Sequence, residues 1–169
     1  MRLQTLPLPA TLPRIDVDVR AQQLRLALPD GTVLRYPVST AANGTGCRQG
    51  SYCTPTGRHR VRLKIGEGCV PGTVFHGRRA TGEVFGPELA QRFPARDWIL
   101  TRILWLEGLE PGHNRGGSVD SLRRYVYIHG TADEHLIGQP ASHGCIRMRG
   151  DDLVALFDRV PAGTPVRIA

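Results

Sequence analysis

Cys145 is the residue around which a reaction could be built. It sits in a run of small and polar residues, Ser142-His143-Gly144-Cys145, with His143 just before it. A second histidine, His129, closes the β-like run Arg124-Tyr125-Val126-Tyr127-Ile128. A thiol is a weak nucleophile until it loses its proton, and a neighbouring imidazole can accept that proton. The first expectation is therefore a cysteine acyl-transfer centre with Cys145 as nucleophile and His129 as general base. From the residues alone, His143 remains a competing base. Gly144 allows a close backbone approach and unusual dihedrals beside the thiol. Arg147 carries a planar guanidinium able to grip a carboxylate through two hydrogen bonds. An ion pair to Asp151 or Asp152 is its alternative role.

Elements that could position these residues are readable in the pattern. Arg14–Arg20 alternates strictly, Gln23–Leu28 alternates again, and Asp30-Gly31 marks a hairpin turn before a third strand over Thr32–Val38. A fourth strand is expected at Arg58–Ile65, with its basic residues on the exposed side. Val74-Phe75 and Val84-Phe85 read as short strands, and Pro87–Arg92 as one helical turn. Trp98–Leu106 is nearly continuous apolar and suits a central strand. Its two tryptophans read as core. Arg124–His129 is the strand that delivers the base, Ala132–Ile137 a short helix, and Leu153, Leu156, Phe157 and Val160 the apolar stripe of a helix N-capped by Asp151. Pro161 and Gly163 end it before a last strand at Thr164–Ile168. The first thirteen residues, with prolines at 7, 9 and 13, form an extended lead-in to one domain over 14–169.

Composition narrows the classes. With 40% apolar residues, 20 glycines and 13 prolines, the 169-residue chain suits one turn-rich β domain. No apolar run approaches the roughly 18 residues that span a bilayer. The net charge of +7 is spread without a Lys/Arg block, pairing only at Arg78-Arg79 and Arg123-Arg124. With aromatics at 6%, no nucleic-acid partner is expected. The proline-broken start does not read as a signal peptide, so the cytoplasm is the expected compartment. The periplasm is the alternative if a leader has been removed. Cys47, Cys53 and Cys69 are expected as unpaired thiols, since their spacing is loose for zinc. A Cys47–Cys53 disulfide is the alternative in an oxidising compartment.

Ile128-His129-Gly130-Thr131, followed after Gly130–Ala141 by Ser142-His143-Gly144-Cys145-Ile146-Arg147, resembles the signature of the L,D-transpeptidase (YkuD) family. Ile146-Arg147-Met148 resembles its Gram-negative branch. Tyr36-Pro37-Val38-Ser39-Thr40, Thr54-Pro55-Thr56-Gly57 and Asn114-Arg115-Gly116-Gly117 extend the likeness upstream. The resemblance implies a mainly β fold, a sandwich- or barrel-like mixed sheet with one or two short helices near the C-terminus. It also implies roles. The Gly130 carbonyl orients His129, His143 shapes the site, and the N–H groups of His143, Gly144 and Cys145 form an oxyanion hole. Arg147, Ser142, Tyr127 and Arg115 are the candidates for substrate contact. The implied substrates are peptidoglycan stem tetrapeptides or muropeptides, cut between diaminopimelate and terminal D-Ala without metal or organic cofactor. Carbapenems are the implied inhibitors. Water as acceptor gives an L,D-carboxypeptidase and an amine gives a 3→3 cross-link or a protein anchor. The cytoplasmic expectation favours hydrolysis of recycled muropeptides.

Overall fold

A computed structural model describes residues 11–169. The expected lead-in over 1–13 falls mostly outside the described residues. Ten strands and two helices follow in the order β1 (Arg14–Asp18), β2 (Gln23–Ala27), β3 (Val33–Pro37), β4 (Gly57–Ile65), β5 (Thr73–His76), β6 (Arg79–Val84), α1 (Pro87–Arg92), β7 (Ile99–Gly108), β8 (Tyr127–Gly130), β9 (Ile146–Met148), α2 (Gly150–Arg159) and β10 (Pro165–Ile168). The strands join in one mixed sheet ordered β3-β2-β1-β10-β4-β7-β5-β6, and β8 and β9 continue from the other edge of β7. β1 pairs with β10 and β8 with β9 in parallel, while the remaining pairs are antiparallel. No helix among the described residues is long and apolar enough to cross a membrane.

The alternation in the sequence becomes a two-faced sheet. Ile15, Val17, Leu24, Leu26, Tyr36, Val166 and Ile168 turn inward and share one core with Leu104, Leu106, Ile128, Ile146 and Met148. Helix α2 seals that core with Leu153, Leu156 and Phe157, each at most 1% exposed. Burying each of these side chains is worth about 1.5–3 kcal/mol. The neighbouring positions of the same strands face the opposite way. There Phe75, Ile103 and Tyr127 form a second, smaller apolar cluster that also takes in Cys145 and Trp105. A side-chain period of two thus divides β7, β8 and β9 between a structural face and a face free for chemistry.

Two expectations need correction. The strand carrying His129 begins at Tyr127, not Arg124. Asp120 captures the N–H groups of Gly116 (2.7 Å) and Arg123 (2.9 Å), and the turn it builds runs to Tyr125, at φ +57°. Asp151 is not the cap of α2. Arg149 occupies the cap position without a side-chain bond, and Glu134 Oε1 accepts from Gly150 N–H at 2.9 Å. Asp151 and Asp152 lie in the first turn, where negative charge suits the helix dipole.

His59 pins the segment leading to β8. Its Nδ1–H donates to the Gly57 carbonyl (3.1 Å), so Nε2 accepts from the Ser121 hydroxyl (2.9 Å). Burial lowers its pKa to about 4, outweighing the Gly57 and Glu110 contributions that raise it. The unfolded chain therefore takes up a proton near pH 6.5 that the folded chain refuses until about pH 4. Stability is fully present above pH 6.5 and falls across that window by about 3 kcal/mol. Denaturant unfolding at pH 7 and pH 4.5 should show this loss, and His59→Gln should shrink it. An equal loss in the variant would remove His59 as the source.

Candidate active site

Strands β8 and β9 bring the reactive residues together. Their parallel register sets Ile128 against Ile146, His129 against Arg147 and Gly130 against Met148. Directly opposed residues share a face, so His129 and Arg147 project away from the core that Ile128, Ile146 and Met148 enter. One residue before β9, Cys145 lies against Tyr127, whose N–H donates to its sulfur at 3.4 Å. Cys145 and His129 are thus diagonal neighbours on the same face. The turn that delivers Cys145 needs its glycine. Gly144 has φ +131°, and a Cβ there would meet the Cys53 carbonyl at 3.3 Å. Thr54 Oγ1 donates to the Gly144 carbonyl (3.0 Å), and Ser142 Oγ donates to the Cys145 carbonyl (2.6 Å) while accepting from Gly144 N–H (3.2 Å).

Electrostatics define a resting state. Cys145 is half-buried, with its thiol donating to the Tyr125 carbonyl at 3.4 Å. Burial pushes that thiol up to about 11, against the lowering pull of Tyr127 N–H, Arg147 and Arg124. Roughly one sulfur in ten thousand is ionised at pH 7. His129 is only 2% exposed. Its Nδ1–H donates to the Gly130 carbonyl at 2.7 Å, which leaves Nε2 as the basic nitrogen. Burial is the main force lowering the His129 pKa, with Gly130 and Asp97 opposing it and Arg147 assisting. The hydrogen bonds of the thiol go to Tyr125 and Tyr127, not to His129. The pair shares a face but is at rest.

His143 is exposed and lies edge-on to Tyr52 at 6.4 Å between ring centroids. Its Nδ1 meets Asp97 Oδ2 at 3.1 Å, and Asp97 Oδ1 accepts from Arg147 at 2.8 Å. The Arg147 side chain is 5% exposed and also donates to the Ala141 carbonyl at 3.3 Å. Its acidic partners are Asp97 and, at 4.0 Å, Asp133, not Asp151 or Asp152. The guanidinium is thus engaged in that network. Two open clefts flank His143. One, of about 340 Å³, is lined by Asp97, Trp98 and Arg147, and the other, of about 370 Å³, by Ala42, Asn43, Tyr52 and Ser142.

Arg115 is not brought to the site. It lies exposed in the loop after β7, its backbone closed on Glu110 and Gly112, and its side chain makes no hydrogen bond or ion pair among the described residues. Its neighbour Asn114 is the structural residue, buried and tied to the carbonyls of Thr56 and Arg58 at 3.0 Å each. Of the expected oxyanion donors, Gly144 N–H is already held by Ser142, which leaves those of His143 and Cys145. Sequence reasoning missed Asp97 and Arg124. Arg124 holds the carbonyls of Cys47 (3.0 Å) and Cys53 (2.7 Å), fixing the loop behind Gly144. The Arg123-Arg124 pair stood out only as charge, and no pattern marked Asp97. Cys47, Cys53 and Cys69 are free thiols. Cys47 Sγ lies 3.7 Å from His113 Nε2. Among the described residues no group of three or more His, Cys, Asp or Glu could hold a metal.

A thiol and an imidazole side by side on the outer face of a mixed sheet define a candidate cysteine acyl-transfer site. The family model for the YkuD L,D-transpeptidase catalytic domain matches residues 13–168, and the chain belongs to that family. A probable L,D-transpeptidase ErfK/SrfK of Salmonella typhimurium is 53% identical over 45 residues, 27% of this chain and 15% of the relative. Among solved structures, an L,D-transpeptidase of Xylanimonas cellulosilytica superposes with TM-score 0.57 at 19% identity, covering 99% of this chain and 65% of its own. L,D-transpeptidase 3 of Mycobacterium tuberculosis, in complex with a faropenem-derived adduct, gives TM-score 0.57 at 15% identity, with 93% and 60% coverage. The chain therefore spans less than two thirds of these solved neighbours. At these identities the likeness concerns the fold.

A resting thiol near pH 11 has a direct signature. Alkylation of Cys145 by iodoacetamide, followed by peptide mass spectrometry, should accelerate about tenfold per pH unit between pH 7 and 10. A plateau below pH 9 would mean that the sulfur rests as a thiolate instead.

Proposed function

We propose that this domain cleaves the L,D peptide bond between diaminopimelate and terminal D-Ala of a peptidoglycan stem tetrapeptide through a thioester on Cys145. The observation that carries this reading is the locked tautomer of His129. With Nδ1–H held by the Gly130 carbonyl, the Nε2 lone pair lies on the face that carries Cys145. The thiol turns from the Tyr125 carbonyl toward Nε2 and gives up its proton as sulfur attacks the diaminopimelate carbonyl carbon. The oxyanion forms against the N–H groups of His143 and Cys145. The C–N bond breaks, and D-Ala leaves with the proton from His129.

Magnitudes show why the proton must move within the attack. Ionising the resting thiol at pH 7 costs about 5 kcal/mol. An oxyanion donor is worth about 3 kcal/mol, so two together offset that cost only once the tetrahedral intermediate develops. His143, oriented by Asp97, stands at the mouth of both clefts and shapes the approach rather than taking the proton.

The thioester is resolved by water, giving a tripeptide, or by an amine, giving a cross-link. The likeness to proteins known as L,D-transpeptidases supports transfer. The same residues serve both outcomes. The faropenem-derived adduct of the mycobacterial neighbour supports acylation of Cys145 by β-lactams of the penem and carbapenem kind.

Incubation with purified disaccharide-tetrapeptide and mass spectrometry tests the reading. Loss of one D-Ala without dimer assigns a carboxypeptidase, and a dimer assigns a transpeptidase. Cys145→Ala should abolish either product, and His129→Ala should slow it at least about a hundredfold. Full activity in Cys145→Ala would refute the thioester. Imipenem should add its mass to the wild-type thiol and not to Cys145→Ala.

A further inference from the structure

With Arg147 paired to Asp97 and Arg115 outside both clefts, a substrate rich in carboxylates calls for a further cation. The turn between β5 and β6 supplies one. Gly77 (φ +53°) and Arg78 (φ +65°) occupy its two central positions, closed by the His76–Arg79 pair. Both dihedrals are left-handed, as in a type I′ turn, where Asn-Gly is the favoured filling. An arginine there is held against its backbone preference. What holds it is an aromatic wall. The guanidinium carbon lies 4.9 Å from the ring centroid of Trp105 and 4.6 Å from that of Tyr125, and one N–H donates to the Tyr127 hydroxyl at 3.2 Å. Trp105 is fixed in turn by its indole N–H on the Leu122 carbonyl at 3.0 Å.

The same wall reaches the nucleophile. Tyr127 N–H donates to Cys145 sulfur, and the Tyr125 carbonyl receives the Cys145 thiol. Tyr125 remains 50% exposed, so the wall is open on its outer side. Arg78 is half-buried, and no carboxylate lies within ion-pair distance of it among the described residues. Of its five N–H donors, one is engaged by a side chain. A guanidinium stacked, oriented and lacking a counter-charge is preorganised for a carboxylate, because little side-chain freedom remains to be lost on binding.

We infer that Arg78, stacked on Trp105 and Tyr125 and braced by Tyr127, is the carboxylate-binding residue of the substrate subsite beside Cys145. This rests on the stem-peptide reading of the site. Two carboxylates flank the scissile bond: the terminal one of D-Ala and the side-chain one of diaminopimelate. The shared chemistry is a planar anion taken by the free edge of the guanidinium.

The test uses calorimetric binding to Cys145→Ala, which requires no turnover, with Arg, Lys or Gln at position 78. The probes are the free-acid tetrapeptide, its C-terminal amide and its diaminopimelate side-chain amide. Arg78→Gln should weaken the free acid at least tenfold, and Arg78→Lys should restore part of that. One of the two amides should bind equally to Arg and Gln forms, and that amide identifies the carboxylate. In the otherwise wild-type enzyme, Arg78→Gln should raise KM by a similar factor with kcat within about threefold. Unchanged binding of the free acid in Arg78→Gln overturns the inference, as does an equal loss with both amides. Tight, Arg78-dependent binding with no turnover by wild type would instead leave the subsite standing and refute the cleavage reading.

Discussion

The parallel pairing of β8 with β9 is the constraint on which the rest depends. Each strand is short, and its residues alternate between the main core and the reactive face. A slip of one residue would drive Cys145 and Arg147 into the apolar core and expose Ile146 and Met148. Burial of Ile128, Ile146 and Met148 at 0% exposure therefore fixes the register that sets the thiol beside the imidazole. The geometry of the candidate site and hydrophobic burial are specified by alternate residues of the same two strands.

That arrangement explains how far the molecule could be read from its chain. Period-two alternation located β1 through β4, and the apolar run located β7, because one-sided burial writes itself into residue type. The histidine and the Ser-His-Gly-Cys run were legible for a different reason: few residue types perform nucleophilic chemistry. What stayed hidden depends on partners far apart in the chain. Asp97 meets His143 and Arg147 only because the segment after α1 folds beneath the Cys145 turn. No spacing announces that. The start of β8 was misjudged since Asp120 forms a local turn that competes with extension. Nor does any spacing announce the partner of Arg147, since a buried guanidinium takes a carboxylate it can reach and Asp97 lies fifty positions away.

The site balances opposing demands. Burial makes the imidazole a neutral acceptor, which suits a base, and the same burial makes the thiol reluctant to ionise. Two of the cations near the sulfur are already engaged. Arg147 is matched by Asp97, and Arg124 is engaged by the loop that holds Cys53. Their pull on the sulfur is outweighed by its burial, and the thiol keeps its proton before substrate arrives.

The buried thiol and its contact with the Tyr125 carbonyl have a consequence for the life of the protein. Peroxides and other oxidants attack sulfur in its anionic form, and the first step toward sulfenic acid follows thiolate content. A nucleophile stored with its proton on, facing a main-chain oxygen, is a slow target for such damage. Chemical durability thus comes chiefly from burial of the sulfur, with one left-handed tyrosine offering its carbonyl to the thiol proton.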